Sequence, residues 1–487
     1  LLIPKSIEYQ SKNYIIKRIK KDAFSYNENI FSISFELNSE LQFIDKESFN
    51  NSSLVSISIP DSVEDLSNGF GNGAYKLTDI KISRKNKRLN YYQNSYLLFD
   101  DILIFARRNL EEAIIPPQVK RICEKSFDSC YNLNSVSFHK TEKSNPPLLE
   151  EISDYSFYHC SSLIKVDIPS SVKRIGNYGF YHCESMKLVN FSEDSHLFSI
   201  GQNAFYASCL KSLYLSSNVK EIDEGFLLGI VGQIDLKLSS DNKNFVFYNN
   251  DFLVQKDILL FARKNIETAV IPPFIKRIAE GSFDHCTNLK TIIFLSNDEN
   301  VTNVTEIGKY AFSNCYSLTK LVIPSSLIEI DEFAFKNCMA LNSIELLPIP
   351  NGEYQLQSIN DYCFESCKNL VKATFPPSIE KVGKNVFNGC ENLITVTFSE
   401  NEKFSKLKVI DDYAFSNCSS LNQVNIPMTV TRIGKYAFNA CRNLNTFDIP
   451  KNSNLKAIGQ CAFISSGIEE INIPNEVSQL DESCFYG

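Results

Sequence analysis

The sequence predicts an α/β repeat solenoid, and three observations carry that prediction. A phenylalanine recurs from Phe24 to Phe485, mostly 21 to 30 residues apart. The same residue types return around it in one order, as in Ile410, Phe415, Cys418, Leu421, Val424, Ile426 and Pro427. Two wide gaps, Phe70 to Phe127 and Phe226 to Phe283, are both 57 residues long, so even the irregularity repeats. Such a period marks an array in which each repeat buries its apolar side against its neighbours.

Each element follows from the pattern. The Leu-x-x-Val-x-Ile segment is short, β-branched and alternating, which reads as a strand. Leu421, Val424 and Ile426 face inward, while Gln423 and Asn425 face out. Pro427 cannot donate to a ladder and marks the strand's exit. Ile433 to Cys441 has the length of about two helical turns, with Gly434 supporting a turn at its start. Stacked strands then form a parallel sheet on one face, and short helical segments line the other. In the repeats of Phe205 and Phe463 the approach to the strand is one residue shorter, a deletion the turn absorbs.

A longer repeat lies above the basic one. Asp101 to Asn109 returns 156 residues later as Asp257 to Asn265, differing at Ile104/Leu260 and Arg108/Lys264. Phe438, Phe463 and Phe485 begin a third copy. Each wide gap holds two short apolar runs, Tyr96 to Phe99 with Ile102 to Ala106, and Phe252 to Gln255 with Ile258 to Ala262. They predict two β-hairpin insertions, at residues 83–115 and 239–271, each standing in for a normal repeat. One continuous solenoid over residues 1–487 is expected. Both ends fall inside a repeat, so the chain reads as a fragment of a longer polypeptide, with export signals and anchors outside it.

These residues resemble the BspA-like class of leucine-rich repeats, found in surface proteins of bacteria and mucosal protists. Ile307, Gly308, Phe312, Cys315, Leu318, Leu321, Ile323 and Pro324 show the unit. The resemblance covers essentially the whole chain and implies a leucine-rich-repeat horseshoe with a role in cell-surface binding or adhesion. It implies protein partners, on host cells or in extracellular matrix, but no particular ligand, because such proteins share a scaffold and differ in what they bind. The regular Asn ladder of better-known leucine-rich repeats is missing. Thr429 and Ser326 occupy the comparable turn, where hydroxyls would have to satisfy the backbone.

Composition narrows the function. Apolar residues make up 43%, enough for a continuous core. A formal charge of −8 argues against nucleic acid, whose binding needs a basic surface. No run approaches the 18 to 20 apolar residues that span a bilayer, so membrane association would need an anchor outside this fragment. Ten of the 15 cysteines stand three residues after an anchor Phe, from Cys130 to Cys441, a packing position rather than a disulfide framework. His159-Cys160, His182-Cys183 and His285-Cys286 suggest metal, but inward Cys and outward His would not converge as zinc requires. No nucleophile with an oriented base is evident, and Gly69 to Gly73 lacks the Lys-Ser/Thr ending of a phosphate loop. No enzyme, cofactor or metal site is expected.

The binding candidates lie on the sheet face and beside the first hairpin. On the face they are Tyr214, Thr395, Thr397, Gln423 and Asn425, within rows that are otherwise small and polar. A solvated sheet explains these rows without a ligand; a partner would meet them as a broad, multivalent contact. At the hairpin, Arg84, Lys85, Lys87 and Arg88 precede Tyr91 and Tyr92, an aromatic-basic mix suited to recognition. The stripe Arg18, Arg121, Arg174, Arg277 and Arg432 reads as a solvated edge. Asn300 and Asn303 are candidate glycosylation sites if the chain is secreted. The preferred expectation is a non-enzymatic, cell-surface or secreted binding protein. The alternative is a cytoplasmic scaffold for protein assembly, which many free thiols would suit.

Overall fold

Most repeats contribute two strands, on two faces. The structure, a computed structural model, describes all residues except 67–68, 84, 139–146, 193, 297–301, 348–353, 399–404 and 487. The chain divides into two compact bodies, Leu1–Asn244 and Phe245–Gly487, each built on the same pair of parallel ladders.

In the N-terminal body the wide ladder joins Leu2–Ile3, Ser32–Phe35, Ser56–Ile59 and Asp79–Ile82. It stops there and resumes from Glu112–Ile115 through to Asp235–Leu238. The narrow ladder has two residues per strand, and its isoleucines stack in register: Ile122 on Ile152, then Ile175, Ile200 and Ile222. In the C-terminal body the wide ladder runs from Thr268–Ile271 to Gln423–Val424 and the narrow one from Arg277–Ile278 to Gln479–Leu480. Leu421, Val424 and Ile426 are buried and Gln423 is exposed, as strand alternation requires.

The opposite face corrects the sequence reading. No helix occurs among the described residues. A helix would send each N–H back four residues within its own repeat. Here Tyr155, Phe157 and His159 donate to the carbonyls of Asn177, Gly179 and Tyr181 in the next repeat, at 2.8 to 2.9 Å. Between them, Tyr158 and Cys160 close tight turns onto Tyr155 and Phe157. Alternate N–H groups can face the neighbour because flanking residues take left-handed backbone, Tyr155 at φ 56° and His159 at φ 58°. Tyr310 with Asn314 and Tyr413 with Asn417 do the same. Such a conformation costs an L residue about 1–2 kcal/mol, and the hydrogen bonds between repeats offset it.

The core is a set of stacked columns. Anchor rings lie face to face, Phe157 on Phe180 at 5.0 Å, Phe312 on Phe335 at 5.1 Å and Phe415 on Phe438 at 5.2 Å. Beside them the inward Cys thiols donate to the preceding anchor's carbonyl, as Cys160 to Phe127 and Cys338 to Phe312, at 3.2 and 3.3 Å; after each hairpin Cys130 and Cys286 turn instead to Arg107 O and Arg263 O. A small side chain with one donor fits that position. The Ser and Thr hydroxyls at the other turn bond the backbone of the previous repeat: Ser326 to Val304 O at 2.8 Å and Thr429 to Leu407 O at 2.7 Å. Gly434 serves close approach rather than a turn. A Cβ there would stand 2.5 Å from the Asp412 nitrogen of the neighbouring repeat.

Each wide gap becomes three antiparallel strands, one more than the two apolar runs announced. In the first, Leu89–Tyr92 pairs with Tyr96–Phe99, which pairs with Ile102–Ala106. Ile102 and Leu103 then enter the narrow ladder beside Arg121 and Ile122. In the second, Val246–Tyr248, Phe252–Gln255 and Ile258–Ala262 repeat the arrangement and join Arg277 and Ile278. A further hairpin, Ser6–Tyr9 with Lys12–Ile15, was not foreseen from the pattern.

Candidate binding surfaces

Three concave regions follow from this scaffold. The first is on the wide sheet of the C-terminal body. Thr395 stands in register with Gln423. Gln423 and Asn425, together with Asn443, Asn445 and Thr446, line a groove of about 740 Å³. Thr395 and Thr397 are half-buried and stand on the neighbouring strand. Tyr214 belongs to the N-terminal body, where it is 42% exposed.

The second is the break in the N-terminal wide ladder. The strand Asp79–Ile82 has no partner on its outer side, because the chain departs into the hairpin. A cleft of about 970 Å³ opens between that strand and Leu89–Tyr92. Lys81, Lys87 and Arg107 line it against one acid, Asp79. Tyr91 lines it too. Its hydroxyl is buried without a hydrogen-bond partner in the protein, and burial pushes its pKa up while Arg107 pulls it down. The aromatic-basic cluster is therefore divided. Lys87 and Tyr91 meet in the cleft, whereas Arg88 turns to Asp100 at 2.7 Å and lies 4.0 Å over the Phe99 ring. Lys85 is exposed and Tyr92 half-buried, and neither is part of the cleft wall. Arg84 lies outside the described residues.

The third region has no counterpart in the sequence reading. The hairpin repeat carries strands where other repeats carry the run of turns. On the turn side the repeats of Phe70 and Phe127 therefore face each other across a missing layer. Side chains bridge it: Asp128 Oδ2 accepts the Gly73 N–H at 2.9 Å. Buried Arg108 donates to Ser126 O at 3.0 Å and Gly71 O at 3.1 Å. The Tyr75 and Tyr131 rings stand 6.1 Å apart. What remains is a pocket of about 430 Å³ lined by Tyr75, Tyr131, Tyr155, Tyr158, Asp128 and His159, among others. Burial raises the tyrosine hydroxyls of Tyr75, Tyr155 and Tyr158, with Asp128 adding to the rise at Tyr75 and Tyr158. His159 is held below its ordinary value, first by burial and then by His182, whose ring it stacks on at 4.9 Å.

Other candidates resolve simply. The imidazoles of His159 and His182 lie outside the core while Cys160 and Cys183 donate inward to Phe127 O and Phe157 O. These pairs do not converge, and the described residues hold no group of three or more His, Cys, Asp and Glu able to bind a metal. Four arginines of the stripe form ion pairs: Arg18 with Asp45, Arg174 with Glu151 and Asp154, Arg277 with Glu306, and Arg432 with Asp411 and Asp412. Asn303 is half-buried and donates its side-chain nitrogen to Pro273 O at 2.6 Å. Asn300 lies outside the described residues.

The repeat geometry has a match. The BspA-type leucine-rich repeat region corresponds to residues 5–97, 103–229, 257–349, 297–408 and 357–487. The chain belongs to this family. The two gaps between matched stretches, 98–102 and 230–256, fall in or just before the hairpins. Among solved structures, a leucine-rich repeat protein from Eubacterium ventriosum is 22% identical, with a TM-score of 0.52, covering 71% of this chain and 87% of its own. It shares the BspA-type fold. A leucine-rich cell surface protein from Faecalibacterium prausnitzii is 18% identical (TM-score 0.47; 83% and 90% covered). The pneumococcal vaccine antigen PcpA is 17% identical (TM-score 0.41; 96% and 89% covered). No protein of curated function matches the sequence.

Proposed function

We propose that this BspA-type repeat protein is a non-enzymatic binding protein, displayed on a cell surface or secreted, that adheres to proteins of host cells or extracellular matrix. The observation that carries this reading is the basic cleft beside the first hairpin, set at the end of a polar sheet face. Its Tyr91 and Arg107 supply an aromatic anchor and a guanidinium, residue types enriched in tight contacts, and Lys87 adds a charge. The face rows, including Tyr214, Thr395, Thr397, Gln423 and Asn425, add contacts that gain from repetition. The fifteen free cysteines favour a second reading, an intracellular scaffold using the same surfaces. Fourteen of them are buried and Cys209 alone is exposed, so burial can protect them in an oxidising compartment.

Antibody labelling of intact cells, with permeabilised cells as control, separates the readings. Labelling of intact cells supports display; labelling after permeabilisation alone supports the scaffold and ends the adhesion reading.

A further inference from the structure

We propose that the pocket at the missing layer, between Tyr75, Tyr131, Tyr155, Tyr158 and Asp128, binds an organic ammonium group. The starting point is Asp128. It is 3% exposed, its carboxylate accepts the Gly73 N–H and the Ser129 hydroxyl, and no Lys, Arg or His among the described residues pairs with it. Buried carboxylates are normally compensated by a cation. The equivalent residue in the second copy has two side-chain nitrogens beside it: His285 Nδ1 at 2.8 Å and Asn314 Nδ2 at 3.0 Å from Asp284. In the first copy Ser129 takes the place of His285.

The walls suit the same ligand. Four tyrosines line the same pocket as the carboxylate, and aromatic faces attract ammonium groups within about 6 Å. One lining cation already uses this chemistry: Lys125 Nζ lies 5.6 Å from the Tyr155 centroid while paired with Glu47 at 3.7 Å. Burial and His182 lower the pKa of His159, against an opposing pull from Asp128. The volume, about 430 Å³, is in the range of small-ligand sites. A bare metal ion fits poorly, because phenol rings and one acid do not make a ligand set.

Isothermal titration of the full chain tests the proposal with four probes. These are choline, Nα-acetyl-lysine amide, the uncharged isostere of choline bearing a tert-butyl group, and glucose. The expected result is saturable binding of choline or the lysine derivative, with the isostere at least about tenfold weaker. A preference for choline would indicate a free quaternary amine as the natural source; a preference for the lysine derivative, a protein side chain. Asp128→Asn, which retains an acceptor for Gly73, should weaken binding about tenfold. Tyr131→Leu should do so too, and Tyr131 is 44% exposed, so its loss leaves the core intact. Equal binding of the isostere, binding of glucose alone, no binding at millimolar probe, or unchanged affinity in Tyr131→Leu would overturn it.

Discussion

The two hairpins share a backbone and differ in their polar side chains. Leu97, Leu103, Phe105 and Ala106 are buried in the first, as are Leu253, Leu259, Phe261 and Ala262 in the second. Each also buries a base, Arg108 and Lys264, that bonds backbone carbonyls. Elsewhere the polar groups diverge. Arg88 and Asp100 form an ion pair, where the second copy has Asn244 and Lys256. Tyr91 becomes Phe247 and Lys85 becomes Asp241. Tyr96, whose buried hydroxyl accepts the Ile114 N–H at 2.8 Å and is pushed up to about 12 by burial, becomes Phe252. What both copies keep is what the hairpin needs to stand in for a repeat. What one copy alone has, as at Tyr91, the hairpin does not require, whereas the cleft bases Lys87 and Arg107 return as Lys243 and Arg263.

Breaking the shared part should cost most. Leu103→Ala and Leu259→Ala should each destabilise their own body by about 2–5 kcal/mol, and urea unfolding should find the two losses alike. Unequal losses would show that the hairpins are not equivalent supports. Next comes the buried base. Arg108→Ala removes two charge-assisted bonds, to Gly71 O and Ser126 O, from a buried site and should cost about 1–3 kcal/mol, whereas Arg108→Lys should be tolerated, because Lys264 fills that role in the second copy. Tyr91→Phe should instead stabilise, by about 1 kcal/mol, since it removes a buried hydroxyl without a partner. A lower thermal midpoint for Tyr91→Phe would mean the hydroxyl is satisfied by solvent.

The smallest expected effect distinguishes the bodies by pH. The folded pKa of His159 lies below the ordinary 6.5, so the unfolded chain takes up its proton first. Its contribution to stability is complete above that value and is lost as pH falls from 6.5 through the folded pKa. The corresponding residue of the C-terminal body is Asn314, which does not titrate. Hydrogen exchange across this pH range should show weakening around His159, and His159→Asn should abolish it.

Much of this was legible in the residue pattern. Strand alternation placed Val424 inside and Gln423 outside, and one Cys per repeat at a fixed position identified a core column. The turn side was not legible. Ile433 to Cys441 has helical length and helical composition, and nothing in it announces that Tyr436 and Ala440 sit at φ 55° and 57°. That choice is made between repeats, where N–H groups find carbonyls of the neighbour, and a pattern within one repeat cannot show it. The tyrosine pocket escaped for a related reason. Tyr75 and Tyr131 belong to repeats that are separated by the hairpin in sequence and brought together because the hairpin supplies no turns. The division of the basic cluster likewise depended on strand direction: Leu89–Tyr92 sends Tyr91 to the cleft, and Arg88 finds Asp100.

The most direct test of separable fold and recognition is to change the cleft's own residues, as Lys81→Ser, Lys87→Ser and Tyr91→Phe together. Adhesion of protein-coated beads to host-cell monolayers and thermal unfolding would be measured on the same preparation. Lost adhesion with the unfolding midpoint kept within a few degrees is the expected result. Undiminished adhesion would place recognition elsewhere on the molecule, and collapse of the midpoint would show that these residues serve the fold.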